Sequence, residues 1–135
     1  MIQSALIAIL RSQITSATYA NAAPQNTTLP AITVDQNSNF RNRHFSAGRT
    51  TTGIQETDFE ISVWATTPEA ASQTGKSVVD LLENFAGPLT DGNSPQNTYR
   101  VTDIDVTSEL DGFDRGSKMY EYSIFITIKH AGEQP

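Results

Sequence analysis

The chain contains no cysteine, so it has neither a disulfide framework nor a thiolate metal site, and the redox poise of its compartment is immaterial to its fold. It has two histidines, His44 and His130. Neither adjoins a Ser or an acid in a nucleophilic motif, no G-x-S-x-G turn exists, and both are expected to be ordinary surface residues. No apolar run approaches the ~20 residues that a bilayer-spanning helix requires. Positive charge is also scarce: 9 Lys and Arg stand against 15 Asp and Glu, a net charge of −6, with a pI near 4.7. That balance excludes tight wrapping of nucleic acid, because phosphate neutralisation needs a basic surface. What is present is a 135-residue chain, 37% hydrophobic and 18% charged, rich in Ser, Thr, Asn and Gln. Its length fits one domain able to bury a core unaided, and its polar content predicts long loops.

The first apolar segment, Ala5 to Leu10, is followed by Ala20-Asn21-Ala22 and so imitates a signal peptide with a small-residue cleavage site. The charge order is wrong for one. No Lys or Arg precedes the apolar run, and Arg11 directly follows it. As a helix over residues 1–14, it places Ala5, Leu6, Ile9 and Gln13 on one stripe that Ile7 and Leu10 widen, which predicts a docked terminal helix.

The rest of the chain alternates strands with turn residues. An extended piece at Thr18 to Ala22 runs into Pro24, and Pro30 precedes a strand at Ala31 to Gln36. Residues 37–53 are polar, with Gly48 and Gly53, and are expected to form a long hairpin loop. From Gln55 to Ala65, Phe59, Ile61, Val63 and Ala65 point one way, while Asp58, Glu60, Ser62 and Trp64 point the other. The second helix is announced by Thr67 as cap, Pro68 at its first position, Glu69 at the positive end of the dipole and Gly87-Pro88 as its stop. Its stripe is Ala71, Gly75, Val78, Leu82 and Phe85, with Val79 and Ala86 alongside. A loop at Thr90 to Asn97 leads to strands at Tyr99 to Glu109 and Lys118 to His130, a hairpin turning around Asp111-Gly112 and Arg115-Gly116. Residues 131–135 are expected to fray. The pattern predicts a single α+β domain over 1–135. It should have a mainly antiparallel four- to five-stranded sheet and two helices packed on one face.

Candidate chemistry fails residue by residue. Thr74-Gly75-Lys76-Ser77 looks like the end of a phosphate loop, but Ala70 stands where that loop needs glycine. Gly75 also belongs to the helical stripe, where a small residue permits close helix–sheet approach. Asp103, Asp105, Glu109, Asp111 and Asp114 resemble a calcium loop, yet Thr107 and Ser108 occupy positions that an EF-hand gives to an oxygen ligand and glycine. Asp103 and Asp105 alternate with Ile104 and Val106, which places them on the outer face of a strand. Asn26-Thr27-Thr28 is a glycosylation sequon with meaning only in a secreted chain. No catalytic residue, metal or cofactor is expected, and no membrane.

Two surface patches carry the functional expectation. Phe40, Arg41, Arg43, Phe45 and Arg49 crowd aromatic and cationic residues, with His44, into one loop of an acidic protein. The loop reads either as a solvated hairpin tip or as a partner contact, since Arg and aromatics are the usual interface anchors, with direct nucleic-acid binding a minor third. The outer sheet face should carry Asp35, Asp58, Glu60, Asp103, Asp105 and Glu121, with Trp64 and Phe125 exposed among them. Two complementary patches on one subunit suit a heterologous interface, the kind that closes rings.

The order of elements, the Ala-Pro-x-x-x-x-Leu-Pro segment from Ala23 to Pro30, the strand ending at Val63-Trp64-Ala65 and the following helix with Ala70, Ala71, Val78 and Leu82 resemble the tail-completion (tail-terminator) proteins of long-tailed bacteriophages. The resemblance spans about Ala5 to Lys129 and rests on no single invariant motif. It implies an α+β virion protein, assembled in the host cytoplasm, that forms a homohexameric ring at the head-proximal end of the tail tube. There it would stop tube growth and meet the head-completion proteins, with DNA only passing through. The alternatives are another head–tail connector or tail-tube protein of the virion, or a small ligand-binding α+β domain with a pocket between sheet and helices.

Overall fold

A computed structural model describes residues 2–24, 27–43, 51–85, 88–90, 98–116 and 118–131, with only the backbone of 38–43, 51–54 and 131. The elements are α1 (Ile2–Gln13), β1 (Thr18–Ala20), β2 (Ala31–Arg43), β3 (Thr51–Ala65), α2 (Pro68–Glu83), β4 (Pro88–Thr90), β5 (Thr98–Asp114) and β6 (Met119–Ala131). The strands form one six-stranded sheet in the order β1-β2-β3-β6-β5-β4. It is antiparallel throughout except for the β1–β2 pair, which is parallel. The fold is therefore a single α+β domain, but mixed and six-stranded rather than four- or five-stranded. β1 falls within the extended piece expected at Thr18 to Ala22, and β4 is the unforeseen edge strand; each is three residues, too short to show a period of two.

The inner face follows directly from alternation in the sequence. Ile32 and Val34 on β2, Phe59, Ile61 and Val63 on β3, and Ile124, Ile126 and Ile128 on β6 are all buried in one cluster. Register pairs them: Ile32 with Val63, Val34 with Ile61, Ile61 with Ile124, and Phe59 with Ile126. Such rows need a cover, and the helices provide it. α1 packs against both β1 and β4, the two edge strands. Only a sheet curled into a half-barrel can bring its opposite edges to one helix. α1 buries Ile2, Ala5, Leu6, Ile7 and Leu10, so its buried stripe begins a turn earlier than expected, and Gln13 is exposed. Arg11 anchors the end of α1: its Nε donates to Thr18 O at 2.8 Å, and its guanidinium lies 5.9 Å from the Tyr19 ring centroid.

α2 covers β3, β6 and β5. Thr67 caps it, its Oγ1 accepting from Ala70 N at 3.2 Å, with Pro68 in the first turn. Ala71, Gly75, Val78, Val79 and Leu82 are buried, while Phe85 is half-buried and Ala86 lies outside the described residues. A Cβ at Gly75 would stand 2.3 Å from Tyr122 Cδ1, so the glycine sets the helix–sheet distance, as its place in the stripe predicted. The helix ends at Asn84, which bonds back to Asp80 O through its side chain at 2.8 Å, several residues before Pro88.

Three local expectations are corrected. Residues 37–43 and 51–53 are not loop: they are the paired arms of the β2–β3 hairpin, from Ser38↔Asp58 out to Arg43↔Thr51. Main-chain pairing, not apolar side chains, extends these arms. The described turn residues between β5 and β6 are Arg115, Gly116 and Lys118, the last at φ 57°; Asp111 and Gly112 remain in strand, paired to Tyr122 and Glu121. His130 is buried, not on the surface: its Nε2 lies 2.9 Å from Thr57 Oγ1, and its ring meets Tyr99 edge-on at 6.2 Å. A hydroxyl and an aromatic edge give the imidazole partners that alternation cannot reveal. Ala131 closes β6, and residues 132–135, like His44, lie outside the described residues.

Candidate assembly interface

The outer face of the sheet is built from the residues that alternate with the core rows. On β3, Asp58, Glu60, Ser62 and Trp64 stand opposite Thr127, Phe125, Ser123 and Glu121 of β6. β2 adds Asp35 beside Glu60 and Thr33 beside Ser62. β5 adds Asp105 beside Thr127 and Asp103 beside Lys129. The structure therefore gathers Asp58, Glu60, Trp64, Glu121 and Phe125 on neighbouring positions of two central strands, with Asp103 and Asp105 exposed at the flank.

Trp64 and Phe125 are half-buried rather than fully exposed. The Trp64 indole donates to Thr33 Oγ1 at 3.2 Å, a cross-strand bond that fixes the ring against the sheet. Thr127 Oγ1 donates to Asp58 Oδ1 at 2.6 Å. Glu60 has its pKa raised, by desolvation first and then by the charges of Glu121 and Asp35. The face thus holds like charges together at some cost. The neighbouring cation, Lys129, lies 3.8 Å from Glu56 with both side chains exposed, a pair of small energetic weight.

Of the basic patch, Phe40, Arg41 and Arg43 occupy strand positions opposite Glu56, Gln55 and Thr51, with their side chains outside the described residues. Phe45 and Arg49 lie wholly outside them. The β6 pairing of β3 stops at Ile54↔Ala131, so Arg43↔Thr51 projects beyond the body of the sheet.

Two concavities flank these surfaces. A groove of about 550 Å³ runs beside Trp64, walled by Pro24, Leu29, Ala31 and Met119. A second, of about 480 Å³, lies at the start of α2, between Pro68 and Ser72 on one side and Phe113 and Tyr120 on the other. The second opens between the first turn of α2 and the ends of β5 and β6, while core side chains fill the space deeper between sheet and helices. Among the described residues no group of three or more His, Asp or Glu could hold a metal ion, and no helix is long and apolar enough to cross a membrane.

Sequence reasoning missed two features. Tyr122 Oη donates to Glu109 Oε1 at 2.5 Å, and that bond, followed by burial and the nearby acids, pushes the phenol up to about 12. Leu110 and Phe113 are exposed large hydrophobics, at 59% and 50%. No pattern signals either one, because β5 carries irregularities between Val101 and Asp103 and between Val106 and Ser108, and each extra residue reverses which face the following side chains take.

The distinctive surfaces are thus a sheet face, a projecting hairpin and a strand edge, those of an α+β protein that offers surfaces to other proteins. The sequence signature of the family described as "Tail completion protein gp17" matches residues 3–127, and the chain belongs to that family, a structural component of the virion tail. Among solved structures, a chain of the "Virion of native gene transfer agent (GTA) particle" superposes with a TM-score of 0.57 at 19% identity, covering 93% of this chain and 86% of that one. At that identity the likeness establishes the fold. No curated protein sequence matches the chain.

Proposed function

We propose that this protein is a tail terminator: a homohexameric ring that caps the tail tube, stops its polymerisation and offers its other surface to the head-completion complex. DNA would cross the ring in passage only, and the protein performs no catalysis. The carrying observation is that the family match runs from within α1 to within β6, residues 3–127, and so takes in the sheet, both helices and both hairpins. The surfaces support this reading. The basic β2–β3 hairpin and the acidic outer face are different patches of one subunit with opposite charge, the condition for a head-to-tail contact that repeats around a ring. Exposed ion pairs contribute only ~0–1 kcal/mol each, so charge would select partner and register while Trp64 and the Phe residues of the hairpin supply desolvated anchoring.

Electron microscopy of the purified protein should show closed rings, and tails assembled without it should overrun their length. An Arg41→Glu, Arg43→Glu variant should assemble less well than the parent at low salt and recover partly at high salt, because screening shortens the introduced repulsion. A protein that stays monomeric at high concentration, together with tails of normal length in its absence, would refute the reading.

A further inference from the structure

β5 is paired on one side by β6 from Val101 to Asp114. On its other side β4 covers it only from Thr98 to Arg100. Among the described residues, the edge beyond Arg100 carries no strand. Folded proteins blunt such edges with charge, proline or bulges, and the two halves of this edge differ in that respect. The first half is blunted: Thr102 and Thr107 sit at the two register irregularities, each donating its hydroxyl to a β6 carbonyl, Lys129 O at 3.0 Å and Phe125 O at 3.1 Å, and Asp103 and Asp105 project between them.

The second half, Ser108 to Phe113, also carries two acids, Glu109 and Asp111, but its register is continuous and it has no proline. It also bears Leu110 and Phe113, both exposed. Their partners in register, Ser123 and Tyr120, belong to opposite faces of the sheet, so an incoming strand would find an apolar contact on each side. Gly112 lies between them with no atom within 4 Å of the place a Cβ would take. Nothing inside the subunit requires that glycine, whereas close approach by another backbone would.

We infer that this edge receives a strand from a second copy of the chain, the donor being the β2 arm between Asp35 and Arg43. The inference rests on the ring reading above. Charge selects the donor. Two β5 edges paired with each other would set Glu109 and Asp111 against the same acids, which disfavours a two-fold contact. β2 carries Arg41 and Arg43, and its own second side is paired by β1 only from Ile32 to Val34. Among the described residues, an open edge bearing Arg41 and Arg43 and an open acidic edge at opposite ends of one sheet make a heterologous interface, with main-chain bonds supplying affinity and alternate side chains supplying register.

Proline tests the edge. Successive residues of a strand direct their N–H groups to opposite sides, so of Leu110→Pro and Asp111→Pro one disrupts the β6 ladder and the other removes only an outward donor. The second kind should keep the parent's melting temperature and circular dichroism yet fail to form rings at concentrations where the parent is fully assembled. A charge exchange identifies the donor. Asp105→Lys, Asp111→Lys and Arg41→Glu, Arg43→Glu proteins should each assemble less well than the parent when alone at low salt, while an equimolar mixture should regain the parent's assembly as alternating rings. A parent that forms rings alongside a folded proline variant that also forms them would overturn the edge pairing and leave the ring reading intact. Assembly of the proline-sensitive edge without restoration in the mixture would overturn β2 as donor. A parent that never forms rings would remove both readings.

Discussion

β3 and β5 are both long strands that flank β6, yet they are used in opposite ways. β3 has a neighbour along each side, and its inner residues Phe59, Ile61 and Val63 are completely buried. β5 has β6 alone for most of its length, and every described residue from Thr107 to Gly116 is exposed. One strand spends its alternation on a core, the other on solvent or a partner. The difference teaches that strand length measures nothing about burial, and that a strand can outlast its core wherever a hairpin supplies the ladder.

The sharpest way to break this comparison is to remove the same side chain from each strand. Phe59→Ala should cost about 3–5 kcal/mol in urea unfolding, the range for a fully buried aromatic, whereas Phe113→Ala should stay within about 0.5–1 kcal/mol. Equal losses would show that Phe113 belongs to the core. Leu82→Ala, on the helix that covers both strands, should fall near the first value, at about 2–5 kcal/mol. β6 lies between the two extremes and offers a middle case. Gly75→Ala drives a methyl into the Tyr122 ring and should destabilise by about 1–3 kcal/mol, more than the gain of up to ~1 kcal/mol in helix propensity returns. A stabilised variant would mean that α2 slides freely over the sheet.

Smaller effects follow the charges on each strand. Glu60 has a folded pKa above its unfolded value, so the folded state holds the proton more tightly, and stability should fall as pH rises from 4.5 through the raised folded pKa. Glu60→Gln should flatten that slope and raise the melting temperature slightly at neutral pH. Tyr122, neutral and held by Glu109 of β5, should ionise near 12 in the folded protein, so its contribution is complete below 10 and lost between 10 and about 12. An alkaline ultraviolet titration should show a late tyrosine component that is absent in Tyr122→Phe.

What was legible in the sequence tracks the core. The alternation from Phe59 to Ala65 set the inside and outside of β3 correctly, and Thr67-Pro68 placed the start of α2, because burial and capping leave residue-level marks. Asp103 and Asp105 were correctly put on the outer face. Asn37 to Arg43 read as loop because polar side chains hide a strand whose stability lies in main-chain pairing with β3. Asp111-Gly112 read as a turn because that dipeptide is a strong hairpin signal, yet the chain continues in strand to Asp114. The extra residue at Thr107 then set Glu109 opposite Ile124 on the inner side and Leu110 opposite Ser123 on the outer side, a reversal of the Ile104–Val106 alternation that no periodic pattern announces. His130 read as a surface residue because a polar side chain near a strand end outweighed the alternation, although it continues the inner row of Ile124, Ile126 and Ile128.

The docking of α1 on both edge strands sets a condition on synthesis. Ile2, Leu6 and Leu10 leave the ribosome long before Leu89 of β4 or Tyr99 of β5 exists, and until those strands arrive the half-barrel has only one of the two edges that α1 bridges. During that interval the nascent chain displays an apolar helix followed by small residues, the same profile that imitates a secretion signal in the sequence. A polypeptide halted before Pro88 would have β1 and β2 for this helix but neither β4 nor β5, so part of its apolar stripe would stay uncovered until those strands arrive.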